Sequence, residues 1–231
     1  MTTFRLAGVD VPRIGLGTNR LTMANVDFVR AAVAAGVRHI DTAHLYTGGE
    51  SERTIGEALG GSPDGVLVAT KGGYGGAGQG RPEVLRAQIE QSLRSLRTDA
   101  IGLYYLHRVD PETPLEESLG AIKEYVDRGA ILHVGVSDVS IEQIERARKV
   151  LPIVAVQNQY NPGDRGDDDV VDHCEREGIA FVPFFPLRGG ESPEVTLAWL
   201  LRRSPVMLPI PGTLSIEHLR ENLAVLDLEL D

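Results

Sequence analysis

The chain has one cysteine, Cys174, in 231 residues. It therefore has no internal disulfide framework and no cysteine-based metal cluster. Lysine is almost as scarce. Of 23 basic residues only Lys71, Lys123 and Lys149 are lysine, and the rest are arginine. Since arginine serves here as the general surface cation, a lysine inside an apolar strand raises a chemical question. Positive charge is also in deficit overall, with 23 basic against 33 acidic residues and a net charge of −10. That argues against a nucleic-acid or anionic-membrane partner, which would need a basic face. Long apolar runs are missing too. The longest, Ala180 to Leu187, is interrupted by Pro183 and Pro186, and Met1 to Pro12 has no apolar core of a secretory signal. The expectation is a cytoplasmic protein with no membrane partner. What the chain does have is an ordinary globular balance, 42% hydrophobic and 24% charged, which excludes a disordered chain.

Short β-branched runs alternate with helical patterns. Strands are expected at Arg13–Thr18, His39–Ala43, Val66–Lys71, Gly102–His107, Leu132–Ser137, Ile153–Asn158, Phe181–Phe185 and Val206–Pro211. They lack polar alternation, as parallel strands buried on both faces do. Between them, Val26, Val29 and Val33 share a helical face, with Asn25 as N-cap and Gly36 as stop. Leu85, Ile89, Leu93 and Leu96 form a second stripe opened by Pro82. Ser140 and Ser215 cap two later helices, and Asp167-Asp168-Asp169 reads as a helix start. Each gap between strand ends holds one βα unit, and eight such units make an α/β fold of the (β/α)8 TIM-barrel type. A doubly wound sheet is the alternative, but Gly15-Leu16-Gly17-Thr18-Asn19-Arg20 lacks the third glycine of its phosphate loop. A hairpin of Phe4–Leu6 with Val9–Val11, turned at Gly8, is expected to close the barrel bottom. No linker or low-complexity tract divides the chain, so residues 1–231 read as a single domain.

Barrel active sites lie at the C-terminal strand ends. Asp41, Lys71, His107, Ser137, Asp138, Gln157 and Asn158 fall there, with Tyr46 on the loop after Asp41. A buried Lys71 ammonium needs a counter-charge, which Asp41 can supply. The same ammonium beside Tyr46 favours the phenolate and makes Tyr46 a general acid. His107 can donate to a substrate carbonyl oxygen. The four form a device for protonating an oxygen as charge develops on it. No side chain supplies hydride, so a nicotinamide cofactor is called for. The remaining histidines show no ligand spacing, and no metal is expected. The run Gly72 to Gly78 borders this mouth as a short mobile gate. Arg108 is read as a solvated rim residue.

Several blocks then occur in order along nearly the whole chain: Gly15-Leu16-Gly17-Thr18, His39-Ile40-Asp41-Thr42-Ala43-His44-Leu45-Tyr46, Ala69-Thr70-Lys71, Leu106-His107, Gly135-Val136-Ser137-Asp138, Gln157-Asn158, Phe185-Pro186-Leu187 and Ile210-Pro211-Gly212-Thr213 with Glu221-Asn222. Together they resemble the aldo-keto reductase family. The resemblance implies an NADP(H)-dependent oxidoreductase that reduces small aldehydes or ketones. It makes Tyr46 the proton donor, Asp41 and Lys71 its tuners, and His107 the carbonyl-orienting group. It implies that Ser137, Asp138 and Gln157 hold the nicotinamide carboxamide and that Phe184 stacks on the ring. Gly17, Thr18, Phe185, Leu187 and Gly212 would lie along the cofactor, and Thr213, Ser215, His218, Glu221 and Asn222 at its adenosine end. Asp138 stands where the family usually has Asn, which exchanges a donor for an acceptor. Positive charge around the expected 2′-phosphate is thin, so NADPH is expected with NADH as the alternative. The short segment after Leu187 and the end at Asp231 lead to the expectation of an open, shallow pocket with looser cofactor binding, and a monomer is expected. Two other readings stand beside this one: a non-catalytic nicotinamide-binding regulatory protein, and a Schiff-base lyase acting through Lys71.

Overall fold

A computed structural model describes residues 2–61 and 63–228 of the chain. β1 (Thr3–Leu6) and β2 (Val9–Pro12) pair antiparallel. Their turn places Ala7 and Gly8 at φ of 48° and 78°, the left-handed pair that suits a two-residue hairpin. Seven parallel strands follow in sequential order: β3 (Leu16–Gly17), β4 (His39–Asp41), β5 (Leu67–Gly72), β6 (Leu103–Leu106), β7 (Val134–Ser137), β8 (Ile153–Gln157) and β9 (Ala180–Phe181). Helices α1 (Val26–Ala34), α2 (Glu50–Leu59), α3 (Pro82–Leu96), α4 (Leu115–Asp127), α5 (Ile141–Arg148) and α6 (Asp168–Glu177) supply the six crossovers, and α7 (Pro193–Arg203) and α8 (Ile216–Ala224) complete the outer layer. The architecture is a (β/α)8 barrel.

The eighth position is filled without a continuous strand. Residues 206–212 run between β9 and β3 and make parallel bridges at Phe181↔Met207 and Gly17↔Gly212. Leu208 N donates to Phe181 O at 2.8 Å, Gly15 N to Pro209 O at 2.9 Å and Gly17 N to Pro211 O at 3.2 Å. Pro209 and Pro211 have no N–H to return, so the ladder is half-made. Buried Arg13 reinforces this closure by donating to the carbonyls of Leu201 at 2.9 Å and Ser204 at 2.5 Å. Two further strands shorten most. Arg13–Thr18 reduces to Leu16–Gly17, and Phe181–Phe185 to Ala180–Phe181, where Pro183 interrupts the ladder, while β4, β6, β7 and β8 each fall one or two residues short of the expected span. Asn25 precedes α1 but does not cap it. Its side chain accepts from Thr22 N and Oγ1 in the preceding 3-10 turn. Ser140 does cap α5, in a capping box with Gln143.

Two apolar clusters fill the molecule. The larger lies between strands and helices. The smaller is the barrel interior: Leu67 and Ala69 of β5, Leu103 and Tyr105 of β6, Ala155 of β8, Ala180 and Val182, and Leu208 and Ile210, with hairpin residues Leu6 and Val11 packed among them. This inward series explains where the polar residues stand. Side chains two apart share a strand face. The next inward rung after Leu67 and Ala69 is Lys71, after Tyr105 it is His107, and after Ala155 it is Gln157. The barrel is therefore apolar at the bottom and polar on its top rung.

Candidate active site

Asp41 ends β4, Lys71 lies near the end of β5, and both are buried. Lys71 Nζ donates to Asp41 Oδ1 at 2.5 Å, to Thr42 O at 2.7 Å and to Tyr46 Oη at 3.5 Å. Burial alone would discharge the amine. The attractions of Asp41 and Tyr46 outweigh it and raise the Lys71 pKa above its ordinary value. Removing either partner of such a pair leaves an uncompensated buried charge, at a cost of about 3–5 kcal/mol. Asp41 is also held from the far side of the barrel, because Gln157 Nε2 donates to its Oδ2 at 2.8 Å. A hydrogen-bonded chain thus runs from Gln157 through Asp41 and Lys71 to Tyr46.

His107 faces this chain, its ring edge-on to Tyr46 with 6.1 Å between centroids. Its pKa is pushed down to about 2, first by burial and then by the positive charges of Lys71 and Arg108. The imidazole is therefore neutral at working pH and has one N–H to offer.

These groups open on a cavity of about 540 Å³. Of the expected cofactor residues, Gly17, Thr18, Ser137, Gln157, Phe184, Phe185, Leu187 and Gly212 line it. Adjacent residues of an extended strand face opposite sides, yet Phe184 and Phe185 both line the cavity, because Phe185 adopts φ of 51° and leaves the strand conformation. Asp138, with φ of 58°, does not line it; its carboxylate pairs with Arg108 Nε at 3.1 Å. Thr213 and Ser215 precede α8 and His218, Glu221 and Asn222 lie along it, and none of the five lines this cavity. There Ser215 Oγ accepts from His218 N at 3.3 Å, and Thr213 Oγ1 accepts from Ser215 N at 3.0 Å.

Sequence reasoning placed Arg108 in solvent. It lines the cavity, and its Nη1 donates to Ser137 Oγ at 3.0 Å and to His107 O at 2.8 Å. Arg20, Tyr74 and Arg188 also line the cavity. The adjacency of Arg108 to a strand-end histidine was the available signal. Tyr74 and Arg188 sit on loops, whose paths period-2 reasoning does not follow.

A barrel whose top rung is an acid–base set facing a cavity defines an enzyme scaffold. Comparison with known proteins gives the lineage. The model of the aldo/keto reductase family matches residues 13–192 and 188–231. Pyridoxine 4-dehydrogenase of Escherichia coli is 35% identical over 99% of this chain and 94% of its own length. An uncharacterised oxidoreductase of Schizosaccharomyces pombe is 33% identical over 99% of this chain and 86% of its own. A thermostable aldo-keto reductase solved with the inhibitor epalrestat superposes with a TM-score of 0.88 at 30% identity, covering 100% of this chain and 96% of that one. A Klebsiella pneumoniae aldo/keto reductase solved with NADP and acetate gives 0.84 at 29%, covering 98% and 90%. The chain belongs to the aldo/keto reductase family of oxidoreductases.

Proposed function

We propose that the protein reduces small aldehydes and ketones to alcohols with NADPH, with Tyr46 as the proton donor. The observation that carries this is the contact of Tyr46 Oη with the Lys71 ammonium, 3.5 Å apart beside neutral His107. The donor set fits a nicotinamide dinucleotide. Gln157 Nε2 donates one of its two N–H groups to Asp41, and its side-chain carbonyl oxygen can accept from a carboxamide N–H. Ser137 Oγ accepts from Arg108, so its own proton is left for a carboxamide oxygen. Phe184 offers a ring face, and Arg20 and Arg188 line the cavity toward phosphate charge. The related Klebsiella enzymes solved with NADP or NADPH support the same cofactor.

When bound, the reduced nicotinamide supplies hydride to the carbonyl carbon. His107 donates a hydrogen bond to the substrate oxygen and orients it. Tyr46 Oη gives that oxygen its proton, and the Lys71 ammonium offsets the charge left on the phenol oxygen. Asp41, anchored by Gln157, keeps Lys71 charged and in place. A protonated lysine locked to a carboxylate is in the wrong state for Schiff-base chemistry.

The test is loss of reduced-nicotinamide absorbance with 4-nitrobenzaldehyde, in the parent and in Tyr46→Phe. The parent is expected to turn over. The variant should lose about 10²–10⁴-fold in kcat while retaining NADPH affinity. Pyridoxine, suggested by the name of the E. coli relative, is the second compound, tested in the oxidative direction. NADPH binding without turnover on a broad carbonyl panel would favour the regulatory reading. Absence of binding would sink the oxidoreductase reading for this site.

A further inference from the structure

Arg108 joins four residues at one corner of the cavity. Its Nε pairs with Asp138 Oδ2 at 3.1 Å, and its Nη1 donates to Ser137 Oγ at 3.0 Å and to His107 O at 2.8 Å. Its guanidinium lies 5.3 Å from the centre of the Phe184 ring. Ser137, His107 and Phe184 all belong to the place proposed for the nicotinamide and the carbonyl. Asp138 does not line the cavity, and it meets that place through the guanidinium. With side-chain exposures of 29% and 52%, the ion pair contributes little to stability by itself. What it does is fix a direction. A guanidinium is a rigid planar fork of donors, so a carboxylate held on Nε sets where the Nη1 N–H groups point. Ser137 has a single hydroxyl proton that rotates to suit its neighbours. With an N–H already aimed at the oxygen, that proton turns away from Arg108.

The backbone brings Asp138 to this position. Its φ of 58° lies in the left-handed region, which aspartate enters more readily than most residues, and its N donates to Gln157 O at 3.0 Å. We infer that Arg108 is a positioning residue for the nicotinamide end of the cofactor, and that Asp138 acts through it. The carboxylate fixes the guanidinium, the guanidinium fixes the Ser137 hydroxyl, and the hydroxyl proton meets the carboxamide oxygen. The exchange of a donor for an acceptor at position 138 thus replaces a direct contact by a relay. This deepens the NADPH reading and rests on it.

The experiment titrates NADPH and 2′-phospho-ADP-ribose, which keeps the adenosine and the phosphates and lacks the nicotinamide, into the parent, Arg108→Met, Asp138→Ala and the double variant. Methionine keeps an unbranched stem beside Phe184 and removes both the charge and the donors. Changes in overall charge act on both probes through their phosphates, so the ratio of the two affinities isolates the nicotinamide end. That ratio should fall about three- to tenfold in Arg108→Met, the effect of one hydrogen bond, and by less in Asp138→Ala. In the double variant it should fall no further than in Arg108→Met, because residues of one relay are not additive. An unchanged ratio in Arg108→Met would reduce Arg108 to a source of charge and overturn the inference. A double variant whose loss is the product of the single losses would show Asp138 acting by itself and overturn the relay. Both of those outcomes leave the NADPH reading intact. A parent that binds neither probe fails the NADPH reading, and the inference with it.

Discussion

His39 lies on β4 two residues before Asp41, on the same inward face, and neither ring nitrogen has a hydrogen-bond partner among the described residues. Burial lowers its pKa from 6.5 to about 4, with Asp41 and Lys71 acting in opposite directions as smaller influences. The unfolded chain takes up a proton at this residue near pH 6.5 and the folded chain does not. Its share of stability is therefore fully present above that pH. It declines as pH falls, and the decline levels off near pH 4. At pH 5 that loss amounts to about 2 kcal/mol. Phenylalanine keeps a ring and removes the titration. Urea melts at pH 7 and pH 5 should show His39→Phe losing about 2 kcal/mol less than the parent between the two conditions. Equal losses would mean that His39 is solvated by an opening absent from the static fold. Asp41, Tyr46, Lys71 and His107 were legible as a group, because strand-end position and residue chemistry point the same way. The bond from Gln157 to Asp41 was not, since it crosses the barrel between residues 116 apart. Nor was the diversion of Asp138 to Arg108, because backbone conformation decides it and the sequence gives no sign of that.

At the scale of elements, hydrophobic runs located every strand, while hydrogen-bond donors decided how long each one is. Val206–Pro211 reads as an eighth strand by apolarity, but Pro209 and Pro211 leave a closure made of single bridges. Such a seam is sensitive to backbone approach. A Cβ at Gly17 would stand 2.7 Å from Ile210 O, a backbone atom that no rotamer change can clear. Gly17→Ala should therefore push residues 206–212 away from β3 and cost about 1–3 kcal/mol, the usual range for an overpacked site. Because Gly17 and Gly212 both line the cavity, the same change should weaken NADPH binding. Denaturant melts alongside a binding titration check both. Intact stability with intact affinity would show that the seam is soft enough to absorb a methyl group. The glycine loop after β5 was legible as a border of the mouth, since it follows Lys71 directly. The packing of its Tyr74 ring on His107, with 4.7 Å between centroids, was not, because the loop's path depends on the positive φ of Gly73, Gly75, Gly76 and Gly78.

Over the whole molecule, a net charge of −10 opposes an anionic dinucleotide, yet the cavity is lined by Arg20, Arg108 and Arg188. Arg108 is paired with Asp138. Arg20 donates to Gly212 O at 3.1 Å and Arg188 lies 3.7 Å from the Phe185 ring centre; neither has a carboxylate partner among the described residues. Which influence governs binding is a question of range. Screening at physiological salt acts over about 8 Å, so acidic groups spread over the outer surface are largely hidden from the cleft. The two arginines lie at the cavity wall and keep most of their effect. NADPH affinity should accordingly fall as salt rises from low to physiological strength. Arg20→Ala and Arg188→Ala should each weaken binding roughly two- to fivefold at low salt, and together should flatten the salt dependence. Fluorescence titrations of NADPH across a salt series measure both slopes. Tighter binding at higher salt in the parent would mean that the acidic surface, rather than the arginine-lined mouth, sets the field that the cofactor meets.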